Sequence, residues 1–414
     1  MKYLILLNRR FPFKYGEAFL ENEIDEISPF FDRILIYPSD VCLKDTQNRK
    51  ITSDNVHVRV IEHKSLKLRK MRYFCESIRY MNKSNESKFI KKIIDGYFLA
   101  AANIQEKKVE KDLGNFSINS DDTVYLYSYW LYINAKVACL LKNYFAQKGI
   151  KAILFSRAHR FDIYEENRRF SYLPERISLL KDLDHVFACS DNGSSYLKSH
   201  YPIYNHKIST SYLGTYDHGL GALKSRNQFH IVSCSRLSNV KRVDILINAL
   251  KLLKNENLSL TWTHLGGGEL YEEIKEKASA LSWMEVHLDG AISNTEVYSH
   301  YIKFPEHVFI NVSSSEGLPV SIMEAISFGI PVIATNVGGT SEIVLDNVNG
   351  KLLDVNVSPE ELANEIKRIA TLPETEYREM RRNARQTWEN YFQASINYKR
   401  FVHEILALNQ EGTK

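Results

Sequence analysis

The sequence SSSEGLPVSIMEA, residues 313–325, indicates the fold of this chain most clearly. It follows an apolar run at 307–312 that is typical of a buried strand, and Gly317 then predicts a turn. Residues 320–328 are expected to form a short helix, with Pro319 at the first helical position. A strand, a tight turn and a helix start bring free backbone N–H groups and the positive end of a helix dipole to one point. The stretch therefore predicts an anion-binding site in an α/β domain.

Two carboxylates, Glu316 and Glu324, frame this predicted anion site. A carboxylate beside a phosphate would repel it, whereas one set to either side accepts hydrogen bonds from sugar hydroxyls. A ligand with a sugar, a diphosphate and a ribose in line fits that arrangement. Acidic residues are also favourable at helix starts for structural reasons alone, so the two acids by themselves leave both interpretations open.

Length and composition describe a globular chain long enough for two domains. The 414 residues are 44% hydrophobic and 25% charged, and a net charge of +4 argues against a general polyanion binder. No apolar run approaches the roughly 18 residues of a membrane span, and the apolar run at 1–8 is too short for a signal peptide. Five widely spaced cysteines show neither disulfide nor metal-ligand spacing. We therefore expect a cytoplasmic protein without a metal site.

Strand-like runs alternate with helix-like stretches in two successive sets, which predicts two parallel sheets covered by helices. Predicted strands lie at 2–8, 33–37, 57–61, 123–127, 152–156 and 186–189, and then at 231–234, 258–264, 286–288, 308–312 and 332–334. Predicted helices lie at 18–27, 134–146, 242–254, 270–281, 296–302, 359–371 and 376–406. We predict a first domain at 1–214, a linker at 215–227, a second domain at 228–390 and a C-terminal helix at 391–414.

Two loops of the predicted first domain carry candidate ligand-binding residues. In the loop after the first strand, Gly16 would let backbone N–H groups approach a phosphate or an acceptor, although a plain turn with Glu17 capping the helix is an alternative. After the strand at 152–156, His159 is placed to donate a hydrogen bond to a sugar hydroxyl, although a lone histidine is more often structural. Arg157 and Arg160 of the same loop are candidates for contact with an anionic acceptor.

Two loops of the predicted second domain carry further candidates. Arg236 and Lys241 follow its first strand and flank a loop that runs into a helix, where two cations could clamp a diphosphate or simply be surface charges. Gly266 and Gly267, in His264-Leu-Gly-Gly-Gly, would allow close backbone approach to a base or ribose. They do not form a dinucleotide-binding fingerprint, and the chain has no phosphate loop of the nucleotide triphosphatases.

The segment 63–95 is the most uneven in charge, with ten Lys or Arg against three acids. Apolar residues recur in it at roughly helical spacing, with Lys67, Arg69, Lys70 and Arg72 between them. Basic amphipathic helices bind anionic lipid surfaces, although such a charge run is also typical of a solvated helix face. Nucleic acid is not expected as a partner, because no nucleic-acid-binding motif accompanies the charge.

Several of these motifs resemble one enzyme family. The run from Glu316, EGLPVSIMEAISFGIPVIATNVGGTSEI, resembles the E-x7-E signature of the retaining glycosyltransferases of family 4, which have the GT-B fold. The run from Ser235, S-R-L-x3-K-R-x-D-x-L-I-x-A, resembles the same family's G-R-L-x3-K-G-x-D pattern, with Ser235 and Arg242 replacing glycines. The F-P-x3-G-E-x-F loop and the turn from His159 to Asp162 resemble its N-terminal motifs.

The resemblance implies an α/β GT-B architecture, with two Rossmann-like, doubly wound parallel-sheet domains facing each other across a cleft. It implies that a nucleotide-diphosphate sugar binds the second domain and an acceptor the first, and that the C-terminal helix at 391–414 returns to the first domain. It also implies that Glu324 holds the ribose hydroxyls and that Glu316 and His159 meet the donor sugar. The residues expected to neutralise the departing phosphate are Arg236, Lys241 and the N–H groups around Gly317, Leu318, Pro319 and Val320.

We therefore predict a metal-independent retaining glycosyltransferase that needs no cofactor beyond its donor. A UDP-sugar is favoured and GDP-mannose is next, with a glycan or lipid-linked acceptor from bacterial surface polysaccharide assembly. Residues 63–95 would touch an anionic membrane at the inner face of the cell membrane. The alternatives are a nucleotide-sugar epimerase or phosphorylase of the same fold, and an inactive relative that acts as a membrane-assembly scaffold.

Overall fold

The computed structural model describes residues 1–13, 17, 19–84, 86–222 and 225–411. The chain divides into two compact units, of which the first comprises Met1–Tyr212 with Ala394–Lys414 and the second comprises Leu213–Gln393. The stretch 215–227, which the sequence predicts as a linker, belongs to the second unit.

Among the described residues, the first unit forms a seven-stranded sheet in which neighbouring strands run parallel. The strands are β1 Lys2–Asn8, β2 Arg33–Pro38, β3 Val56–Val58, β4 Thr123–Ser128, β5 Lys151–Ala158, β6 His185–Ala188 and β7 Ile208–Thr210. Their order is β3-β2-β1-β4-β5-β6-β7. β1, β2, β4 and β5 are buried along most of their length, so they read as continuous apolar runs rather than as alternating patterns.

Helices connect these strands. They are α1 Phe19–Ile27, α2 Leu66–Met81, α3 Phe89–Leu113, α4 Ile133–Gln147, α5 Arg160–Ile163, α6 Arg176–Asp182 and α7 Asp191–His200. The core of the unit lies between the sheet and these helices, and includes Leu126, Leu154 and Val186 of three neighbouring strands. α2 and α3 form the long connection between β3 and β4.

The described part of the second unit forms a six-stranded parallel sheet. Its strands are β8 Phe229–Cys234, β9 Leu260–Leu265, β10 Glu285–Leu288, β11 Val308–Asn311, β12 Val332–Thr335 and β13 Gly350–Leu353, in the order β10-β9-β8-β11-β12-β13. Its helices are α8 Val243–Leu252, α9 Tyr271–Ala278, α10 Asn294–Lys303, α11 Val320–Ser327, α12 Pro359–Thr371 and α13 Glu374–Tyr391. The strand order reverses between β8 and β11, and ligands of such sheets bind at this kind of switch point.

The C-terminal region is not the single helix that its pattern predicts at 376–406. α13 ends at Tyr391, and a further helix, α14 Ala394–Glu411, begins after a break. Phe392 has φ −127° and ψ 19°, outside the helical region. Trp388 of α13 donates to Thr215 Oγ1 at 2.7 Å in the second unit, whereas Phe401 of α14 packs in the first. The prediction is wrong because the two halves are buried in different cores.

The sequence prediction also misses two edge strands and overextends a third. β7 and β13 lie at the edges of their sheets, and both carry polar or glycine residues that weaken the apolar signal. The strand predicted at 57–61 is confined to Val56–Val58. Short edge strands depend on pairing with a neighbour, which local composition does not report.

Candidate functional sites

The predicted turn lies at the carboxyl end of β11, where the chain passes into α11. Pro319 is the N-cap residue, with φ −75° and ψ 99°, so the helix begins at Val320 and not at the proline. Leu318 and Pro319 are buried, whereas Gly317 and Val320 are half-buried. The turn thus combines an anchored apolar part with accessible backbone at a helix start.

Two predicted site residues meet at this turn. Lys241 Nζ lies 2.5 Å from Glu316 Oε1, and Asn311 Nδ2 donates to the same oxygen at 3.2 Å. The side chains of Lys241 and Glu316 are 24% and 11% exposed, so the pair is largely shielded from solvent. A cation from the loop after β8 therefore stands beside the carboxylate at the end of β11.

Arg236, from the same loop as Lys241, is placed differently. Its Nε lies 2.9 Å from Glu269 Oε2, and the two side chains are 75% and 51% exposed. Ion pairs this exposed contribute little to stability. Arg236 is therefore available to a ligand at little cost, because only a weak surface contact has to be given up.

Glu324 is the second carboxylate of the predicted pair, and it is buried within α11. Its Oε1 accepts hydrogen bonds from Asn294 Nδ2 at 3.1 Å and from the Tyr298 hydroxyl at 3.0 Å, both on α10. Burial raises its pKa to about 7. Tyr298 in turn stacks on His218, with ring centroids 4.2 Å apart. Glu324 is thus held in one position by two donors.

Gly266 and Gly267 pack against protein backbone. Gly266 has φ +139°, and a Cβ built there would lie 2.1 Å from Ser235 O. A Cβ on Gly267 would lie 2.9 Å from Ala291 N, and Leu237 N donates to Gly267 O at 2.9 Å. The glycines therefore allow the loops after β8 and β9 to pack together, which is a structural reason for their presence besides any ligand.

A buried polar network that the sequence analysis did not single out supports these loops. Ser233 Oγ accepts from Trp262 Nε1 at 3.0 Å and lies 2.8 Å from His264 Nδ1. His264 Nε2 lies 3.1 Å from Ser235 O, so the network assigns the proton to Nε2. Burial lowers the pKa of His264 to about 4, so the ring is neutral. The sequence signal that could have revealed this network is the pair Trp262 and His264, two residues apart on one strand, beside Ser233 on the neighbouring strand.

Arg242 occupies a backbone conformation that explains the glycine of the resembling motif. Its φ is +49°, in the left-handed region where residues other than glycine are strained. Its Nε donates to Val312 O at 2.8 Å and its Nη2 to Ser313 O at 3.2 Å. In this chain the side chain therefore ties the loop after β8 to the end of β11, next to Glu316.

A second glycine-containing loop, residues 336–339, packs against the backbone of the Glu316 turn. Gly338 has φ +56°, and a Cβ built there would lie 2.1 Å from Glu316 O. Gly339 N donates to Gly317 O at 2.7 Å. The Asn336-Val-Gly-Gly loop thus fixes the backbone of the Glu316–Gly317 turn, and a side chain at position 338 would displace it.

In the first unit, His159 is almost fully buried at the end of β5. Its ring centroid lies 4.7 Å from that of Tyr129 and 4.8 Å from that of Trp130. Burial, reinforced by the nearby charge of Arg157, lowers its pKa to about 3, so the ring is neutral. Among the described residues its Nε2 has no hydrogen-bond partner. A buried ring nitrogen without a partner leaves hydrogen-bonding capacity unused, which calls for an explanation.

Asp162, three residues after His159, holds this turn in place. One of its carboxylate oxygens accepts from His159 N at 2.6 Å and the other from Leu131 N at 2.7 Å. The carboxylate therefore ties the loop after β5 to the loop after β4. Its burial raises its pKa to about 7.

Arg157 does not face solvent, so its predicted contact with an acceptor is wrong. The side chain is fully buried, its Nε lies 2.9 Å from Glu23 Oε2, and its guanidinium lies 3.9 Å from the Phe401 ring centroid. An arginine in a strand of a sheet covered on both faces has to be paired inside the core. Arg160, at the start of α5, is half-buried.

The first loop is only partly described, and Gly16 lies outside the described residues. Glu17 accepts hydrogen bonds from the backbone N–H groups of Arg9, Arg10 and Phe11 at 2.9, 2.6 and 2.9 Å. Three consecutive N–H groups form an anion-binding nest. The carboxylate of Glu17 occupies this nest, in addition to any role at the start of α1.

The first unit also contains a pocket that is partly open to solvent. Its lining residues follow the carboxyl ends of several strands and include Arg9 after β1, Asp40 after β2, Trp130 after β4 and Phe161 near the end of β5. Aromatic walls with a few charged groups are typical of carbohydrate and other small-molecule sites. We call this the aromatic pocket.

The basic residues of α2 divide into two groups. Lys67, Lys70 and Arg72 are exposed, and Lys70 also lines the aromatic pocket. Arg69 is buried, where it donates to Ser39 O and lies 3.8 Å from Glu62 Oε1. The prediction that Arg69 meets an acceptor or membrane is therefore wrong, because it lies on the face of α2 that packs against the unit.

Within the residues that the structure describes, no group of three or more His, Cys, Asp and Glu side chains is arranged to hold a metal ion. In the same residues no helix combines the length and the apolar character needed to cross a bilayer.

The fold defines a class of protein. Two parallel α/β sheets with flanking helices form the GT-B architecture, and solved glycosyltransferase structures align with nearly the whole chain. One solved structure, HepE from Anabaena in complex with UDP-glucose, has a TM-score of 0.65 and 18% identity, covering 98% of this chain and 99% of that one.

Sequence comparisons point to the second unit. Residues 222–387, which are less than half of the chain, match the family model described as glycosyl transferases group 1. The chain is 28% identical over 239 residues to the GtfA subunit of a UDP-N-acetylglucosamine–peptide N-acetylglucosaminyltransferase from Streptococcus pneumoniae, covering 54% of this chain and 46% of that protein. It is 31% identical over 120 residues to the O-antigen biosynthesis glycosyltransferase WbnH from Escherichia coli, covering 29% and 32%. The chain thus spans less than half of the length of the curated relatives it matches.

Proposed function

We propose that this protein is a retaining glycosyltransferase that moves a sugar from a nucleotide-diphosphate sugar to a glycan or lipid-linked acceptor. The observation that carries the proposal is the arrangement at the switch point of the second sheet. There the Lys241–Glu316 pair and the buried Glu324 flank an accessible turn at the start of α11. The match of residues 222–387 to glycosyl transferases group 1 supports the same assignment.

The donor nucleotide is assigned to the second unit. Glu324, fixed by Asn294 and Tyr298, accepts hydrogen bonds from the ribose hydroxyls. Lys241 and Arg236 neutralise the diphosphate, together with the backbone N–H groups of the turn at 317–320. Glu316 faces the donor sugar, and its contact with Lys241 keeps both groups oriented before the donor binds.

The chemistry follows from where charge develops. The bond between the anomeric carbon and the phosphate oxygen breaks, and a bond to the acceptor oxygen forms on the same face of the sugar. The acceptor proton passes to the departing phosphate, whose growing charge is stabilised by Lys241 and Arg236. No metal ion or cofactor is assigned to the step. His159, whose ring is neutral and whose Nε2 has no hydrogen-bond partner among the described residues, is assigned to a hydroxyl of the donor sugar.

The acceptor is assigned to the aromatic pocket of the first unit, whose lining includes the aromatic side chains of Trp130 and Phe161. UDP-sugars are favoured as donors and GDP-mannose is the next choice, because GtfA is named for UDP-N-acetylglucosamine and HepE was solved with UDP-glucose. WbnH is named for O-antigen synthesis, which supports a role in surface polysaccharide assembly. The proposed location is the cytoplasm, at the inner face of the membrane.

The first test is thermal unfolding with UDP, GDP, ADP and CMP, followed by UDP-glucose and GDP-mannose. We expect UDP to stabilise the protein, by about 2.7 kcal/mol at ~100 times its dissociation constant. Glu324→Ala should abolish the shift, whereas the control Glu379→Ala, an exposed acid of α13, should leave it unchanged. If no nucleotide stabilises the protein, or if the shift survives Glu324→Ala, the donor site is wrongly assigned.

A second test measures the contribution of Lys241 to catalysis. Lys241→Ala should lower the hydrolysis of UDP-glucose, measured as UDP release, by about 100-fold or more, since removing one group that stabilises developing charge costs that much. Lys241→Arg should recover part of the rate, and Lys254→Ala should have no effect. Wild-type turnover in Lys241→Ala would contradict the proposed role of this cation.

A further inference from the structure

Helix α2 carries apolar residues on two opposite faces, and only one of them is buried. On the packed face, Tyr73 accepts a hydrogen bond from Gln105 at 3.4 Å and makes an edge contact with Tyr97 of α3. Gly96 of α3 comes so close to α2 that a Cβ there would lie 2.6 Å from Ser77 O. The helix is therefore firmly packed on one side, which fixes the direction of its other side.

The opposite face is apolar and open. Leu68, Met71, Phe74 and Ile78 are 53%, 59%, 64% and 72% exposed. At about 100° per residue, these four side chains fall within an arc of roughly 120°. A helix that merely rests on a domain presents charged or polar residues to solvent there, so this arc calls for a partner.

Basic residues border the arc on both sides. Lys70 lies along one edge and Arg72 and Arg79 lie along the other, whereas Lys67 lies within the arc in the first turn of the helix, and all four are exposed. Glu76, the acid of this helix, lies 3.0 Å from Arg79 and offsets one charge. The start of α3 extends the pattern, because Phe89 and Ile90 are 69% and 48% exposed beside Lys88.

We propose that this face of α2 binds an anionic lipid bilayer, with the helix lying in the plane of the interface. We define it as the α2 surface: Lys67, Leu68, Lys70, Met71, Arg72, Phe74, Ile78 and Arg79. The apolar arc enters the boundary between headgroups and acyl chains, and the flanking cations meet lipid phosphates. A second copy of the chain fits less well, since a two-fold contact sets like charges against each other.

The position of α2 also indicates the chemical class of the acceptor, and this inference rests on the proposed function. Leu66, Lys70 and Tyr73 of α2 line the aromatic pocket. α2 therefore forms a wall between the bilayer-facing arc and the pocket assigned to the acceptor, and Lys70, at the edge of the arc, belongs to both. A glycan on a lipid anchor can place its sugar in the pocket and a phosphate near Lys70 while its anchor stays in the membrane. We infer that the acceptor is a lipid-linked glycan and not a free oligosaccharide.

The test measures co-sedimentation with vesicles of phosphatidylcholine alone and of phosphatidylcholine with phosphatidylglycerol. The wild-type protein should bind the anionic vesicles at least about tenfold more tightly than the neutral ones. The triple variant Met71→Ser, Phe74→Ser, Ile78→Ser tests the arc, and its exposed positions should leave thermal unfolding unchanged. It should lose most of the vesicle binding.

A matched pair of charge variants tests the cations. Lys67→Glu with Arg72→Glu should weaken binding to anionic vesicles at least about tenfold. Lys254→Glu with Lys275→Glu makes the same change in net charge on exposed residues of the second unit and should bind like wild type. Equal losses in both pairs would show that only net charge matters and would overturn the proposal.

A fluorescent label reports insertion directly. Cys75 is exposed on α2, whereas the other four cysteines, all within the described residues, are half-buried or buried. An environment-sensitive dye on Cys75, in a Cys42→Ser background, should shift to shorter wavelength with anionic vesicles and not with neutral ones. An unchanged spectrum would refute insertion. A wild-type dimer that the triple variant dissociates, together with absent vesicle binding, would assign the face to a second copy.

The vesicle experiments and the nucleotide experiments test the two proposals separately. If UDP stabilises the protein but no vesicle binds it, the α2 surface is refuted while the donor site stands. If vesicles bind but no nucleotide has an effect, the surface stands and the transferase assignment falls. With both intact, transfer of a UDP-donor sugar to a lipid-linked acceptor should rise when vesicles contain anionic lipid, and the triple variant should lose this gain.

Discussion

At the scale of single residues, burial and partners decide which charged groups are free for a ligand. Arg157 and Glu23 hold each other inside the first unit, and Lys241 and Glu316 pair at the edge of the second. The Arg157–Glu23 pair is fully buried and therefore has a structural role. The second pair keeps some exposure, and this makes it suitable for binding. A charged residue near a strand end is thus not enough to define a site.

The pKa of Glu324 gives a stability prediction. Burial raises the pKa from 4.5 to about 7, so the folded protein binds a proton more tightly than the unfolded chain. Stability from this group is fully present below about pH 4.5 and is lost as pH rises toward 7. Glu324→Gln removes the titration, so its free energy of unfolding relative to wild type should rise between pH 5 and pH 8 by on the order of 3 kcal/mol, and its Tm relative to wild type should rise with it.

The measurement is thermal unfolding of the two proteins across this pH range without nucleotide. Glu379→Gln, on an exposed position, serves as the control and should track wild type at every pH. A Tm difference between Glu324→Gln and wild type that stays constant with pH would show that Glu324 does not titrate in this window.

At the scale of elements, loops after parallel strands fix the site by packing backbone against backbone. The loops after β8 and β9 meet at Gly266, and the Asn336-Val-Gly-Gly loop meets the Glu316 turn at Gly338. Arg242 adds hydrogen bonds to two carbonyls at the end of β11. The precision of the site is therefore a property of several loops that support one another.

Alanine substitutions at two glycines with positive φ distinguish the cost of backbone strain from the cost of a steric clash. Gly290 has φ +70°, and a Cβ there would lie 3.8 Å from Tyr271 Cε2, an ordinary contact distance, whereas a Cβ at Gly338 would lie 2.1 Å from Glu316 O. Gly290→Ala should cost about 1–2 kcal/mol through backbone strain alone. Gly338→Ala should cost more and should also weaken UDP binding by moving the Glu316 turn. Denaturant unfolding and UDP titration measure both, and equal effects would contradict the role of the 336–339 loop.

Arg242 allows a similar comparison at one position. Arg242→Ala removes the hydrogen bonds to Val312 and Ser313 but keeps the strained φ of +49°, so it should destabilise the protein by about 1–3 kcal/mol. Arg242→Gly loses the same bonds but relieves the strain, and it should be the more stable of the two variants by roughly 1 kcal/mol. The reverse order in urea unfolding would mean that the strain is not significant.

At the scale of the whole molecule, the two units share one chain but have separate cores. The first unit receives its last helix, α14, from the end of the chain, after the second unit is complete. Phe401 of α14 contacts aromatic rings on three strands, β4, β5 and β6, through Tyr127, Phe155 and Phe187. The stability of the first unit therefore depends on the C-terminus.

Phe401→Ala tests this dependence. Loss of a fully buried phenylalanine should destabilise the first unit by about 3–5 kcal/mol. Hydrogen exchange should accelerate in β4, β5 and β6 and stay unchanged in β8 to β13, and UDP should still bind. Ile396→Ala, at a 46% exposed position of the same helix, is the control. Faster exchange throughout the second sheet would show that the two cores are coupled.

The amino-acid pattern alone was enough to predict the α/β class of fold, and it nominated the main parts of the candidate site. Buried parallel strands are apolar on both faces, so β1, β4, β11 and β12 are visible as short apolar runs. The turn from Glu316 to Glu324 is local, because a strand end, a glycine, a proline and a helix start are neighbours in the chain. Such features need no knowledge of distant residues.

Which charges are buried depends, by contrast, on contacts between segments that are distant in the chain. Arg157 pairs with Glu23, which lies 134 residues earlier in the chain. Arg69 contacts Ser39 and Glu62, which lie on other segments. Helical spacing placed Arg69 among the surface cations of α2, yet one face of that helix packs on the unit and the opposite face does not. Which face is covered depends on neighbours brought together by folding, and local pattern carries no information about them.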